Sequence, residues 1–240
     1  MDSLLELAVA AHGGRDRWQQ ITQLKAHISV GGALWHVKGW PGIFPYAHVE
    51  LDPHRQHIEF SPFQKAGQHT LFEPDRVAIV GADGKILDER RSPRQAFEGH
   101  GLQTPWDALH LAYFTGYAMW DYLTMPFLFL SPGFHTAEIE PWHENGEIWR
   151  RLKVIFPAEV HSHCREQVFY FDSAGLVRRH DYRVDIIGSG STSAHYSSGH
   201  KTFGGIVFPT SRQVYTIDSD NRPNLERVLV SLDIHEVDVT

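Results

Sequence analysis

Three observations predict a mainly β, α+β fold. Apolar and polar side chains alternate with a period of two through most of the chain, tight-turn residues punctuate these stretches, and one long apolar segment interrupts them. Together they predict a curved antiparallel sheet forming an unclosed barrel. An N-terminal helix and a helical insertion over about 104–130 are expected to cap a hydrophobic cavity. The 240 residues are expected to form a single domain over 1–240, because no linker or internal repeat divides them. A chain of this length buries roughly 70–75% of its unfolded surface, so its core needs no disulfide or metal.

Leu4, Leu5, Leu7, Ala8 and Ala11 recur near a 3.6-residue period and predict the first helix. Gly13-Gly14 ends it, and residues 15–20 form a second short helix anchored by Trp18. Leu24, Ala26, Ile28 and Val30 then alternate with Lys25, His27 and Ser29, the pattern of a half-buried strand. Gly31-Gly32 marks a bend, and residues 33–38 are expected to continue the strand. Further strands are expected at 45–51, 55–60 and 68–73, then at 76–80 and 85–89 around the turn Asp83-Gly84. Beyond the insertion, 136–142 and 147–156 flank Asn145-Gly146, and 165–172 and 176–186 flank Ser173-Ala174-Gly175. Strands at 192–203, 206–217 and 226–238 finish the chain, joined by GSGST (188–192), Gly204-Gly205 and DSDNRPN (218–224).

The insertion reads TPWDALHLAYFTGYAMWDYLTMPFLFL. Thr104 is expected to cap the helix with Pro105 in its first turn, and Pro126 to end it. Asp107, His110 and Asp121 interrupt the apolar run and no basic residues flank it, so a transmembrane span is not expected.

AHGGRDRWQQITQLKAHISVGG (11–32) resembles the helix-to-first-strand opening of the LolA/LolB-like lipoprotein-carrier superfamily. GGIVFPTSRQVYTID (204–218) is similar to that group's late strand pair. The resemblance implies an unclosed antiparallel barrel around a hydrophobic cavity, with helices as a lid. The carriers' signal peptide and lipobox cysteine have no counterpart here, and the same fold serves a cofactor-free enzyme of pigment biosynthesis. The fold therefore implies a cavity and leaves the chemistry open.

Net charge is −7 and the isoelectric point about 6.2, without a basic stripe, so no nucleic-acid partner is expected. The opening MDSLLELAVAAHGG lacks a basic leader region, and Cys164 is the one cysteine. A cytoplasmic location is expected on both grounds.

In residues 177–184, VRRHDYRV, strand alternation divides neighbouring polar groups between two faces. His180 and Tyr182 share a face with Arg178, Val184 and Ile186; Val177, Arg179, Asp181, Arg183 and Asp185 make the other, charged almost throughout and expected to meet solvent. His180 and Tyr182 are thus a candidate acid–base couple, with core packing as the alternative. On the next strand His195 falls on one face and Tyr196 and His200 on the other, and either set suits the couple, depending on register. Trp106, His110, Tyr113, Tyr117 and Trp120 form one helical stripe, which packs on the sheet or lines a pocket for an aromatic or apolar ligand. Arg150, among Ile148, Leu152 and Val154, needs a carboxylate or an anionic ligand.

His161, His163 and Cys164 are ligand types for zinc or copper, but a third or fourth ligand is missing, so no metal is expected. Phosphate-loop, dinucleotide and nucleophile-elbow motifs are absent, and no cofactor is expected. The function these features favour is binding of a hydrophobic or aromatic small molecule. The alternative is a cofactor-independent lyase, isomerase or hydrolase using His180, Tyr182, His195 and His200. Oligomeric state is not legible.

Overall fold

A computed structural model describes residues 3–188 and 192–240; residues 189–191 of the expected GSGST connection lie outside the described residues. The first helices are α1 (Ser3–Ala11) and α2 (Arg15–Gln19), broken at Gly13-Gly14 as expected. Six strands follow: β1 (Leu24–Gly31), β2 (Ala47–Asp52), β3 (His57–Ser61), β4 (His69–Glu73), β5 (Arg76–Val80) and β6 (Ile86–Arg91). Seven more follow the insertion: β7 (His135–Glu144), β8 (Glu147–Ile155), β9 (Glu166–Phe171), β10 (Val177–Tyr182), β11 (Ser193–Phe203), β12 (Ile206–Thr216) and β13 (Val230–Val239). Within each run every strand pairs antiparallel with the next one in the chain, and β1 pairs with β13 to join the two runs. The result is one 13-stranded sheet with β6 and β7 at its two edges.

That order explains why the barrel stays open. The chain runs out to β6 at one edge, crosses through the helical insertion, and returns from β7 at the other. Both edges carry charged residues, Asp88 to Arg91 on β6 and Glu138, Glu140 and Glu144 on β7, and such edges resist further pairing.

The insertion contains α4 (Ala108–Thr124), followed by a 3-10 turn at Phe127–Leu130. Every residue from Leu109 to Thr124 is buried, because the helix packs on β3, β4 and β5 and fills the hollow of the sheet. Its N-cap is Asp107, not Thr104: the Asp107 carboxylate accepts from the His110 amide at 2.8 Å, and His110 Nδ1 accepts from the Asp107 amide at 3.3 Å. The Thr104 hydroxyl accepts from Gly101 N–H instead, closing the turn before the helix. Met125 is the C-cap, in extended backbone before Pro126. Residues 33–38 also depart from expectation. Gly32, at φ 112°, turns the chain out of β1, and Ala33–Val37 form the short helix α3, which buries Leu34 and Trp35.

Among the described residues, no helix is long and apolar enough to cross a membrane.

Candidate functional site

Alternation along β10 sends His180 and Tyr182 to the face that α4 covers, and both are buried. On β11, His195 stands in register with His180, so the odd-numbered face of β11 joins the couple. The His180 and Tyr182 rings lie 4.6 Å apart, and the Tyr182 hydroxyl is 3.5 Å from His195 Nδ1. Register, which the sequence left open, thus selects His195. Gly199, at φ 66°, interrupts β11 before His200. His200 bonds the Val177 carbonyl at 3.0 Å and faces His12, at the end of α1, at 6.4 Å between rings.

The couple belongs to a larger buried network. His163 stacks on Tyr182 at 4.0 Å between centroids. Its Nδ1 meets the Tyr117 hydroxyl at 3.2 Å and its Nε2 the Tyr122 hydroxyl at 2.8 Å, and Tyr122 reaches Tyr182 at 3.2 Å. A second chain runs from Asp121 to Ser162 at 2.5 Å, from Gln167 Nε2 to Ser162 at 2.6 Å, and from Gln167 Oε1 to His180 Nε2 at 2.5 Å. The Gln167 amide nitrogen also donates to the Cys164 carbonyl. Its amide oxygen is therefore the acceptor for His180 Nε2–H, which leaves His180 Nδ1 a lone pair. Arg212, on β12, lies over the Tyr122 ring at 5.1 Å.

Burial sets the protonation of these groups. It holds His180 and His195 well below the ordinary histidine range and brings His163 down to about 3. It pushes Tyr117, Tyr122 and Tyr182 above the usual phenol range. The Asp121 carboxyl is raised well above a free aspartate by burial, against a smaller opposing effect of the Ser162 hydrogen bond, so it is held protonated. The site is thus a set of neutral donors and acceptors beside the cation Arg212, with Arg94 at its margin on the Ser162 carbonyl.

The other residues singled out from sequence lie elsewhere. Trp106 packs on Phe97, Phe114 and the Lys38 ammonium. His110 completes the α4 cap and bonds the Ala96 carbonyl. The Tyr113 hydroxyl accepts from Arg94 and meets His161 Nδ1 at 3.0 Å, and Trp120 donates to the Asp52 carbonyl. Only Tyr117 of that stripe joins the network. Arg150 has its carboxylate: it forms a two-pronged pair with Glu138 at 2.7 Å and reaches Ser3. Tyr196 lies on the opposite face of the sheet from His195 and donates to Glu144 at 2.6 Å.

That opposite face also corrects the expected solvent face of β10. Arg179 is fully buried, bonded twice to Asp181 and once to Glu144, and enclosed by the rings of Trp142, Tyr170 and Tyr196. The β7–β8 hairpin and Asn221 fold over this side of the strand, so Arg179 and Asp181 are covered, while Arg183 and Asp185 are exposed as expected. As alternation requires, Asp181 pairs with Arg179 and not with His180.

His163, Tyr122, Asp121, Gln167 and Arg212 were missed as members of the network around His180. Arg212 carried a readable signal, since it shares the apolar parity of β12 with Ile206, Phe208 and Val214.

Where a hydrophobic cavity was expected, two small apolar voids flank α4. One, of about 50 Å³, is lined by Trp35, Phe60, Ala118, Met119, Tyr122 and Leu232. The other, of about 110 Å³, runs out past Val214 and Ser193 toward Leu102 and Ile187. Both are bounded by Phe114, Tyr182 and Val230. Side chains of α4 occupy most of the hollow between them.

No protein-family model matches this sequence, and no curated protein matches it. Its architecture does have solved counterparts. A LolA superfamily protein of Nitrosomonas europaea superposes with a TM-score of 0.53 at 13% identity, over 99% of this chain and 92% of that one. A DUF1329 family protein of Desulfovibrio piger gives 0.52 at 11% identity, over 99% and 92%. The chain has the LolA-like fold.

Proposed function

We propose that this protein binds a hydrophobic small molecule between α4 and the sheet. The observation that carries the reading is the pair of apolar voids meeting at Phe114, Tyr182 and Val230. At about 50 and 110 Å³ they fall short of the roughly 300–1,000 Å³ of a site that encloses a small ligand. Binding therefore requires side chains to move. Met119, on the wall of the inner void, has the flexible thioether that adapts most readily. Phe114 borders both voids, and its displacement would join them beside Tyr182.

Native mass spectrometry of protein purified from its own host tests this reading. A retained organic molecule, released on denaturation and excluded by Met119→Trp, is the expected result. Protein that arrives empty and takes up no apolar fluorescent probe would sink it.

Acid–base catalysis in the same place is the second reading, favoured by Tyr182, which borders both voids and whose hydroxyl meets Tyr122 and His195. It ranks lower because a base works best with a pKa near the operating pH, and burial takes His163 to about 3. We place the protein in the cytoplasm, supported by its single, buried cysteine. Recovery from host cells only in the periplasmic fraction would overturn that placement.

A further inference from the structure

Arg212 is 4% exposed and sits at the heart of the polar network, yet no carboxylate among the described residues lies within ion-pair distance of it. Buried guanidinium groups are almost always paired. Of its five N–H groups, one donates to the Ser197 hydroxyl at 3.2 Å and one to the Tyr122 carbonyl at 2.9 Å. The second bond caps the last turn of α4, whose partial negative charge offsets part of the cation. Nε–H has no partner.

His195 Nε2 is likewise buried and unpartnered. His195 pairs with Val214 and Ser197 with Arg212, so His195 and Arg212 are diagonal neighbours on one face of β11 and β12. Both rings or planes rest on Tyr122, His195 at 4.6 Å and Arg212 at 5.1 Å. The hydrogen-bond chain can set His195 as a donor: Tyr117 donates to His163 Nδ1, His163 Nε2–H to Tyr122, Tyr122 to Tyr182, and Tyr182 to His195 Nδ1. His195 Nε2 then carries a proton. Two unpartnered N–H groups and a positive charge without a carboxylate thus stand against Tyr122, whose side chain also borders the inner void.

We propose that Arg212, with His195, binds the acidic end of the ligand, so that the ligand class is an amphiphile bearing a carboxylate on a hydrocarbon chain. The chain lies along Phe114, Met119 and Val230. The carboxylate passes between Tyr122 and Tyr182 and accepts from Arg212 Nε–H and His195 Nε2–H, completing the pair that the protein leaves open. This inference rests on the hydrophobic-binding reading above.

Dodecanoate and dodecanol, titrated below their aggregation concentrations and followed by tryptophan fluorescence, separate the two ideas. Wild-type protein is expected to bind the acid about ten- to a hundredfold more tightly than the alcohol, the range for a charge-assisted hydrogen bond. Arg212→Gln should erase that preference by weakening dodecanoate far more than dodecanol, an effect that loss of a helix cap alone does not produce. Arg212→Lys should keep part of the preference, and the wild-type comparison stands even if both variants misfold. Equal wild-type affinity for acid and alcohol, or a preference that survives in Arg212→Gln, overturns the role of Arg212 and leaves hydrophobic binding intact. If neither probe binds, the hydrophobic-binding reading fails and this inference falls with it.

Discussion

Gly116→Ala tests the packing that fills the hollow of the sheet. Alanine is the better helix former by about 1 kcal/mol, so local propensity alone predicts a more stable protein. The tertiary structure predicts the reverse. A Cβ on residue 116 would stand 2.3 Å from Phe72 Cβ and 2.4 Å from Phe72 Cγ. Carbon atoms settle at about 3.5–4.0 Å, so helix and strand would have to part by more than about 1 Å. Rotating the Phe72 ring gives no relief, because its Cβ is fixed to the backbone. That backbone belongs to β4, held between β3 and β5, and α4 is buried on every side. Overpacking of this kind costs typically about 1–3 kcal/mol, and a clash with a backbone-anchored atom belongs at the upper end. Subtracting the helical gain leaves a net loss of about 2 kcal/mol, or a fall in Tm of roughly 4–8 °C for a chain of this size. Urea unfolding followed by tryptophan fluorescence measures it, with the slope m expected to stay at the wild-type value. A variant as stable as wild type, or more so, would refute the close approach of α4 to β4.

Arg179→Met leaves Asp181 and Glu144 as carboxylates without their cation on the covered face, and is expected to destabilise by about 3–5 kcal/mol in thermal or urea unfolding. Acid should weaken the fold early. His12 is lowered to about 4 and His163 to about 3, below their unfolded value of 6.5, so the unfolded chain binds more protons as pH falls. Their stabilisation is complete above pH 6.5 and declines by at most about 1.4 kcal/mol per unit for each residue down to its folded pKa. Unfolding midpoints in His163→Asn should show a shallower decline over that window. Asp121 has the opposite sign: its folded pKa is raised, so wild type loses stability as pH rises from about 3.8. Asp121→Asn cannot titrate, and its stability relative to wild type should increase as pH rises above about 3.8; a constant difference would show that Asp121 is ionised in the fold.

Much of the fold is legible because β structure writes itself locally. Alternation marks the β1–β13 strands to within a few residues, and dipeptides such as Asp83-Gly84 and Asn145-Gly146 mark their hairpins. Residues 33–38 misread because Gly32 redirects the backbone while the apolar spacing of Leu34 and Trp35 suits a strand or one helical turn equally. Which face of α4 meets the voids was not legible for another reason. A helix buried on all sides has no outward face, so periodicity cannot say which of its faces meets the voids, and the face that does holds Phe114, Thr115, Ala118, Met119 and Tyr122.

The sequence by itself determined the separation of His180 from Asp181, since side chains two apart share a face of any regular strand. It also placed Arg212 on an apolar row. Only the tertiary structure decided that His195 stands opposite His180, that the β7–β8 hairpin covers Arg179, and that α4 brings Asp121 and Tyr122 to the network. Strand register, the packing of one layer on another and the partners of a buried charge depend on residues distant in the chain. Adjacent letters constrain direction, and only folding supplies neighbours.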